Sequence, residues 1–422
     1  MKSLHKIILF ALLPLMGACS GMLDIEPHSA VSPTVVGSDD IEALRIGMYN
    51  KVQEGPTYYS YIAFDLFGGE LMTSTGRPID LINSLSNALH TFVSSQWNGY
   101  YKALLQVNNV MSIAEGLADS PTRNRVLGEC RYFRAYIYLC LVTRFGDVPV
   151  LRQNTQAKVS RDPASMAWEL VEEDLDAASG FLNGLSADSF YYVTALKARV
   201  KLYLGKKGEA KELAESLITN PNYALDDFDK IFRSKANKEV IFAFSCLTED
   251  GSSIKISNQF YSYNHPNKGS YNYRPAGDVM TMYADNDLRK EVSITTLDNL
   301  NFVNKYPSGQ TGSDPVVISR LAEMYLISAE AQGLNGGLDR LNELREKRGL
   351  DRVSPGNEAD FLDAVLQERR LEFLAEGFRW YDLVRTGKAT QTLGTKDYQC
   401  LMPLPSRELL YNPNLKPNNP GY

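Results

Sequence analysis

The densest run of ionisable side chains lies near the C-terminus, from Glu368-Arg369-Arg370 through Glu372, Glu376, Arg379, Asp382 and Arg385. Glu368, Glu372 and Glu376 fall on one stripe of a helix. Two such acids could act as general acid and nucleophile, the pairing that cleaves glycosidic bonds. The spacing argues for something else. Arg369 and Glu372, Glu376 and Arg379, and Asp382 and Arg385 are all i,i+3 neighbours, so each acid has a cation within reach. A nearby cation holds a carboxyl ionised, whereas a general acid needs its pKa raised. The segment reads as an ion-pair ladder, and the chain as a protein that is not an enzyme.

Other chemistry is sparse. The four histidines are His5, His28, His90 and His265, and none stands in an H-E-x-x-H frame. No nucleophile elbow, Walker loop or dinucleotide fingerprint occurs. Asp285-x-Asp287 offers two oxygen ligands but lacks the glycine and closing Glu of a calcium loop. Among the five cysteines, Cys130, Cys140, Cys246 and Cys400 have no close spacing that would build a zinc site. Cys130 and Cys140 on one helix would sit about 15 Å apart, too far to bridge. They read as packed thiols, and no cofactor or metal is expected.

The tyrosines are more informative, with 24 against 3 tryptophans. Tyr58, Tyr59 and Tyr61 cluster in one stretch without helical period. Phe260, Tyr261, Tyr263, Tyr271 and Tyr273 cluster in another, interleaved with Asn258, Asn264, His265, Asn267, Asn272 and Arg274. Tyrosine offers a flat apolar face and a polar tip at little entropic cost. A sugar ring presents an apolar C–H face and a rim of hydroxyls, so stacking plus amide and guanidinium hydrogen bonds suits it. The same surface also suits peptides. Tyr58, Tyr59, Tyr61, Tyr261, Tyr263, Tyr271 and Tyr273 are the candidate stacking residues, with Arg77, Asn264 and Arg274 as hydrogen-bonding partners. Trp97, Trp168 and Trp380 all fall on helical patterns and read as core.

The elements that must position these residues begin after an address. Lys2 and Lys6, the apolar run Ile7 to Met16, and the small pair Gly17-Ala18 form a secretory signal over residues 1–18. The apolar run is too short to span a bilayer, which needs roughly 20 residues. Leu15-Met16-Gly17-Ala18-Cys19 resembles a bacterial lipobox, with Met16 where Leu is usual. Cys19 would then be acylated and become the first residue, anchored by its lipid chains. Loss of Lys2 and Lys6 takes the net charge from −6 to about −8. A mildly acidic chain without a basic block is a poor partner for nucleic acid. Residues 19–37, rich in Pro, Ser and Thr, form a tether that reaches about 60 Å when extended; Asp24 and Glu26 lie within it.

The body divides into an N-terminal helical region, 38–246, and a C-terminal region, 247–422, expected to form one compact unit. A helix capped by Ser38 or Asp39 carries Ile41, Leu44, Met48 and Val52 on one face. Residues 55–90 are expected to be irregular. Trp97, Tyr101, Leu104, Asn108 and Met111, then Val126, Cys130, Phe133, Ile137 and Leu141, mark two helices by their period. Trp168, Val171, Leu175 and Ala178 mark a third. Val193–Leu204 and Gly208–Ile218 form a tight hairpin. Val240, Phe242 and Phe244 alternate as a short strand. Residues 247–316 lack helical period, and long loops of that kind are commonly functional. Helices resume at Ile318–Leu334, Leu338–Arg348 and Phe361–Arg385. Gly205-x-x-Gly208 and Gly333-x-x-Gly336 each separate two helices, and Ala195, Ala198, Ala210 and Ala214 resemble the small-residue seam of a tetratricopeptide hairpin. The fold expected is mainly α: a tetratricopeptide-type helical scaffold with loop-rich segments and a few short strands.

Several motifs in order resemble the SusD/RagB family of Bacteroidetes outer-membrane lipoproteins. They are Trp97-x-x-Tyr100 with Asn108-Asn109, Gly128-Glu129-Cys130-Arg131-Tyr132-Phe133-Arg134-Ala135-Tyr136, and Phe145-Gly146-Asp147-Val148-Pro149. Further on stand Asn237-x-Glu239-Val240-Ile241-Phe242, Arg320-Leu321-Ala322-Glu323-Met324-Tyr325, Glu376-Gly377-Phe378-Arg379-Trp380-Tyr381-Asp382, and the ending Asn419-Pro420-Gly421-Tyr422. The resemblance implies a nutrient-binding lipoprotein at the cell surface, without catalysis. It would capture oligosaccharides and deliver them to a SusC-like TonB-dependent transporter, the lipid on Cys19 and the tether forming the hinge side of a lid. A RagB-like peptide binder, or a gating lid with little ligand affinity of its own, are the alternatives it leaves open. The shared motifs are scaffold positions and transfer no binding site.

Overall fold

The apolar periods seen in the sequence become a stack of antiparallel helices. A computed structural model describes residues 40–422, apart from 75, 77, 186, 234–235 and 247–253. The signal, the tether with Cys19, and Arg77 therefore lie outside the described residues. Helix α1 (Ile41–Glu54) buries Ile41, Met48 and Val52, and its N-cap position is taken by Asp40. Helix α2 (Thr57–Phe67) follows at once, then strand β1 (Leu71–Met72) and helix α3 (Pro78–Leu85). The stretch expected to be irregular is thus largely helical. Every side chain from Ser60 to Phe67 is buried, so α2 is enclosed on all sides and shows no amphipathic period to read. Packing overrides the modest helix propensity of its tyrosines.

Helices α4 (Thr91–Glu115) and α5 (Pro121–Phe145) form as expected, with Ser120 accepting from the Arg123 N–H at 3.1 Å and Pro121 in the first turn. Helix α6 (Ala164–Leu182) lies along α5, and α7 (Ala187–Tyr203) and α8 (Lys207–Ile218) make the predicted hairpin. A short helix α9 (Phe228–Ile231) precedes strand β2 (Val240–Phe244). The loop-rich segment holds strand β3 (Arg274–Pro275), a one-turn helix α10 (Lys290–Ser293), and the hairpin of β4 (Ile294–Leu297) and β5 (Leu300–Val303). Strand β6 (Val316–Arg320) then pairs antiparallel with β2, Val240 opposite Arg320 and Phe244 opposite Val316. The helix expected from Ile318 therefore begins only at Leu321.

Helix α11 (Leu321–Lys347) is broken at Gly333, where φ is 68° and ψ is −173°. A Cβ on Gly337 would lie 2.0 Å from the Ala329 carbonyl oxygen, so the two halves fold back in contact as the second predicted hairpin. Helix α12 (Glu358–Glu372) and helix α13 (Arg379–Arg385) replace the single helix expected over Phe361–Arg385. The break has a cause. The Asp65 carboxylate accepts the Ala375 and Gly377 amides, both at 2.8 Å, and so takes the chain out of the helical path. Helices α14 (Ala389–Leu393) and α15 (Ser406–Tyr411) close the chain. A buried apolar cluster draws on residues from Ile41 to Leu415, and a smaller one lies between α11 and α12. No helix among the described residues is long and apolar enough to cross a membrane.

Candidate functional site

Two residue sets could have carried chemistry, and the structure treats them differently. The acidic stripe is buried, and two of its three expected i,i+3 pairs do not form. Only Asp382 meets Arg385, at 2.8 Å; Arg369 turns instead to Asp382 at 2.7 Å, and Arg379 stands 3.9 Å from Glu70. Glu372 takes Arg289 and Arg348, both at 2.8 Å, and Arg320 as well. Glu376 takes Lys305 at 2.6 Å and Arg320 at 2.9 Å; Glu368 takes Arg289 and Arg345, each at 2.7 Å. Glu239 and Asp287 complete the network through Arg348 and Arg289.

The cations come from distant segments, so sequence neighbours were the wrong partners to read. Burial alone would raise the Glu372 carboxyl, but Arg348, Arg320 and Arg289 overcome it and hold the group well below its usual range. This is an anchor that ties α12 to β2, β6, α11 and the loop-rich segment. It is the opposite of a poised general acid. Asp285 Oδ1 is held by Lys290 at 2.7 Å, and both carboxylate oxygens of Asp287 are taken by Arg289. Cys130, Cys140, Cys246 and Cys400 are all free thiols.

The tyrosines are brought together in part. α2 is placed by a close crossing: a Cβ on Gly99 of α4 would lie 2.2 Å from the Gly55 carbonyl oxygen. This contact lays the start of α2 on α4 and sets Tyr59 against Phe92, ring centroids 5.3 Å apart. Tyr58 and Tyr59 are half-buried, with ring centroids 4.4 Å apart. β1 then pairs with β3, Leu71 opposite Pro275 and Met72 opposite Arg274. The pairing sets Tyr273, 8% exposed, beside Tyr59. Burial and the Tyr59 hydroxyl push the Tyr273 phenol up. Arg274 points one N–H at the Ser74 carbonyl, 3.4 Å away. Tyr58, Tyr59, Tyr273, Arg274 and Met72 thus share one junction between the two clusters.

The remaining candidates divide by burial. Tyr61 is buried, and its hydroxyl donates to the Gln53 carbonyl at 2.6 Å. Tyr261 is 0% exposed, donates to Asn304 Oδ1 at 2.9 Å and packs on His265 and Phe302; burial pushes its phenol to about 12. Tyr61 and Tyr273, each 8% exposed, and Tyr261 have no face left for stacking, which corrects the expectation for all three; Tyr273 instead backs the Tyr59 ring. Among their sequence neighbours, Tyr58, Tyr59 and Tyr271 are half-buried and Tyr263 is exposed. Tyr271 is half-buried; its ring lies 5.3 Å from Phe302 and its hydroxyl donates to the Asn301 carbonyl at 3.0 Å. Tyr263 is 73% exposed, with the Lys268 ammonium 5.9 Å from its ring, and Asn264 beside it is exposed. Met72 and Ser74 escaped the sequence reading, because nothing but the β1–β3 pairing marks them. A separate groove of about 330 Å³ runs over Trp97, Tyr101, Leu105 and Leu151, with Asn98, Lys102 and Glu408 among its lining residues.

The structure is a mainly helical scaffold with an aromatic surface junction and a deeply buried acidic stripe. Comparison with known proteins gives it a family. A family described as "Starch-binding associating with outer membrane" matches residues 22–200, and one described as the SusD family matches residues 293–400. The chain belongs to the SusD/RagB family. SusD-like protein P38 of Formosa agariphila is 25% identical, with 97% of both chains aligned. A SusD-like protein of Bacteroides ovatus is 23% identical over 88% of this chain and 80% of that one. Among solved structures, B. fragilis NanU superposes with a TM-score of 0.79 at 23% identity, covering 94% of this chain and all of that one. A laminarin binding SusD-like protein superposes at 0.77 and 22% identity, covering 92% and 100%. At such identity the superpositions speak to the fold.

Proposed function

We propose that this chain is a surface-facing, lipid-anchored outer-membrane lipoprotein that captures oligosaccharides and passes them to a SusC-like TonB-dependent transporter. The observation that carries the reading is the junction at β1–β3, where Tyr58, Tyr59, Tyr273 and Arg274 converge from segments far apart in the chain. Tyr58 and Tyr59 are half-buried rings held by neighbours, the buried Tyr273 behind them, and such rings lose little entropy on stacking against a sugar. The exposed Tyr263 and Asn264 extend the same loop toward solvent, and Tyr271 supports it from the Phe302 side. Arg77 belongs to the proposed site on sequence grounds alone. The match to a family described as starch-binding, and the likeness to a laminarin binding protein, support a glycan as the ligand. Lipid on Cys19 and the tether would hold the body to the membrane.

The test is calorimetry of the soluble body, starting after Cys19, against oligosaccharide pools and against a peptide digest. Heat with a sugar pool, lost when Tyr58 and Tyr263 are replaced by Ala, is the expected result. Heat with peptides alone would assign the protein to a RagB-like role. Silence from both would leave a site completed only by the transporter, or a gating lid.

A further inference from the structure

Among the described residues, the buried arginines follow a rule with one exception. Arg134, Arg199, Arg289, Arg320, Arg348 and Arg369 each touch a carboxylate, respectively that of Asp174, Glu323, Asp287, Glu239, Glu239 and Asp382. Arg144 of α5 is 5% exposed and touches no carboxylate among the described residues. Its Nε donates to Gln96 Oε1 at 2.9 Å, and its two terminal nitrogens donate to the Cys140 carbonyl at 3.1 Å and the Ser60 carbonyl at 2.8 Å. The guanidinium carbon lies 4.3 Å from the Phe64 ring centroid and 5.4 Å from that of Tyr100. All of these partners are neutral. They use three of five N–H donors and leave the charge itself unmatched. A charge removed from water is costly unless a counter-charge accompanies it.

Arg144 also lines a cavity of about 70 Å³, together with Ser60, Tyr61, Tyr136 and Thr143. Two other charged residues face that space, and both are already neutralised. Arg199 is held by Glu323 through two bonds of 2.6 and 2.7 Å. Glu376 receives Lys305 at 2.6 Å and Arg320 at 2.9 Å. Arg144 therefore leaves the wall with one excess positive charge. We propose that this cavity binds a small monovalent anion of halide size, chloride in the first instance, held by the Arg144 guanidinium. The space has room for more than one water, so a halide enters it readily. The walls come from α2, α5, α7, β6 and the turn at 375–378, with Ile256 and Tyr306. The anion would thus fasten the inner side of α2, the helix that carries Tyr58 and Tyr59, to the helix behind it. The proposal does not depend on the identity of the nutrient.

The experiment compares melting temperature in chloride and in gluconate, a bulky and weakly coordinating anion, at equal ionic strength. A ligand that binds only the folded chain raises the melting temperature by mass action, here by about 2 °C in 0.5 M chloride. R144M is expected to lose the chloride dependence, and the exposed-site control R152M to keep it. Should R144M not fold, the wild type still decides the matter. Crystals soaked in bromide should give an anomalous peak within about 3.5 Å of the Arg144 guanidinium. Equal melting in both salts without such a peak overturns the proposal. So does a chloride effect that persists in R144M, or bromide found at the surface only.

Discussion

Met72 stands directly opposite Arg274 in a two-residue antiparallel pair. The pairing joins segments far apart in the chain, and the Arg274 guanidinium crosses back to the carbonyl of Ser74, 200 residues before it. A contact so short contributes little free energy by itself. Its consequence is positional, because it sets Tyr273 beside Tyr59 and so merges two aromatic clusters into one surface.

That surface predicts a separation between affinity and stability. Tyr58→Ala and Tyr263→Ala should each weaken oligosaccharide binding about tenfold, corresponding to about 1.4 kcal/mol of lost stacking. Neither should move the melting temperature appreciably, since Tyr263 is 73% exposed and Tyr58 only half-buried. Tyr61→Phe should do the reverse. It removes the bond to the Gln53 carbonyl at a cost of about 1 kcal/mol and leaves affinity alone. Titration calorimetry and thermal melts on the three variants check this; unchanged affinity in both alanine variants would take the junction out of the site.

The buried acidic stripe predicts a large structural effect and no enzymatic one. Glu372→Gln leaves Arg289, Arg320 and Arg348 facing a neutral amide inside the core. Breaking a buried pair from one side costs about 3–5 kcal/mol, because the remaining charge is stranded. Removing the exposed pair of Arg152 and Glu173 should cost about 0–1 kcal/mol. Urea melts of the two variants would be compared. A Glu372→Gln variant as stable as the wild type would mean the network adds nothing that its hydrogen bonds alone do not supply.

Most of the helical frame was legible in the sequence because its helices are amphipathic. α4 and α6 each bury one recognisable stripe; α5, buried almost throughout from Val126 to Phe145, declares itself by its length and its Ser120-Pro121 start, which the short α2 lacks, and the hairpin of α7 and α8 announces itself by Gly205 and Gly208. α2 was not legible, since a helix buried on all sides has no polar face to set its period. The break at 373–378 was hidden as well. It depends on Asp65, which lies 310 residues away from Ala375. The candidate site was half legible for the same reason. Residue type pointed to tyrosine, but only the packing of Tyr261 on Phe302 and of Tyr61 in the core separates buried rings from available ones.

Lys305 predicts an unusual pH dependence. Its ammonium is fully buried, and burial first, then Arg320, lower its pKa from 10.5 to about 8 despite the Glu376 carboxylate. The folded chain therefore releases this proton before the unfolded chain does. Between about pH 8 and 10.5 the unfolded state binds more protons, so this group's contribution to stability rises with pH. The stability of the wild type relative to Lys305→Met should increase across that window and be flat from pH 6 to 7. Denaturant melts of both proteins at half-unit intervals would measure it. A difference that falls with rising pH would mean that the Glu376 pairing outweighs burial.

The crossing of α4 over the start of α2 gives the last prediction. Gly99 leaves no room for a Cβ, which would meet the Gly55 carbonyl oxygen at 2.2 Å and the Pro56 Cα at 2.5 Å. Both neighbours are backbone and cannot swing aside, so Gly99→Ala must move the start of α2 or strain it. Overpacking of this kind costs about 1–3 kcal/mol. Because Tyr58 and Tyr59 sit just beyond Pro56, the displacement should also lower oligosaccharide affinity severalfold, although no ligand-facing atom is removed. Gly208→Ala, where nothing lies within 4 Å of the new methyl, is the control and should be neutral or slightly stabilising. If Gly99→Ala loses stability but keeps full affinity, the strain is absorbed away from α2 and the junction is set by the β1–β3 pairing alone.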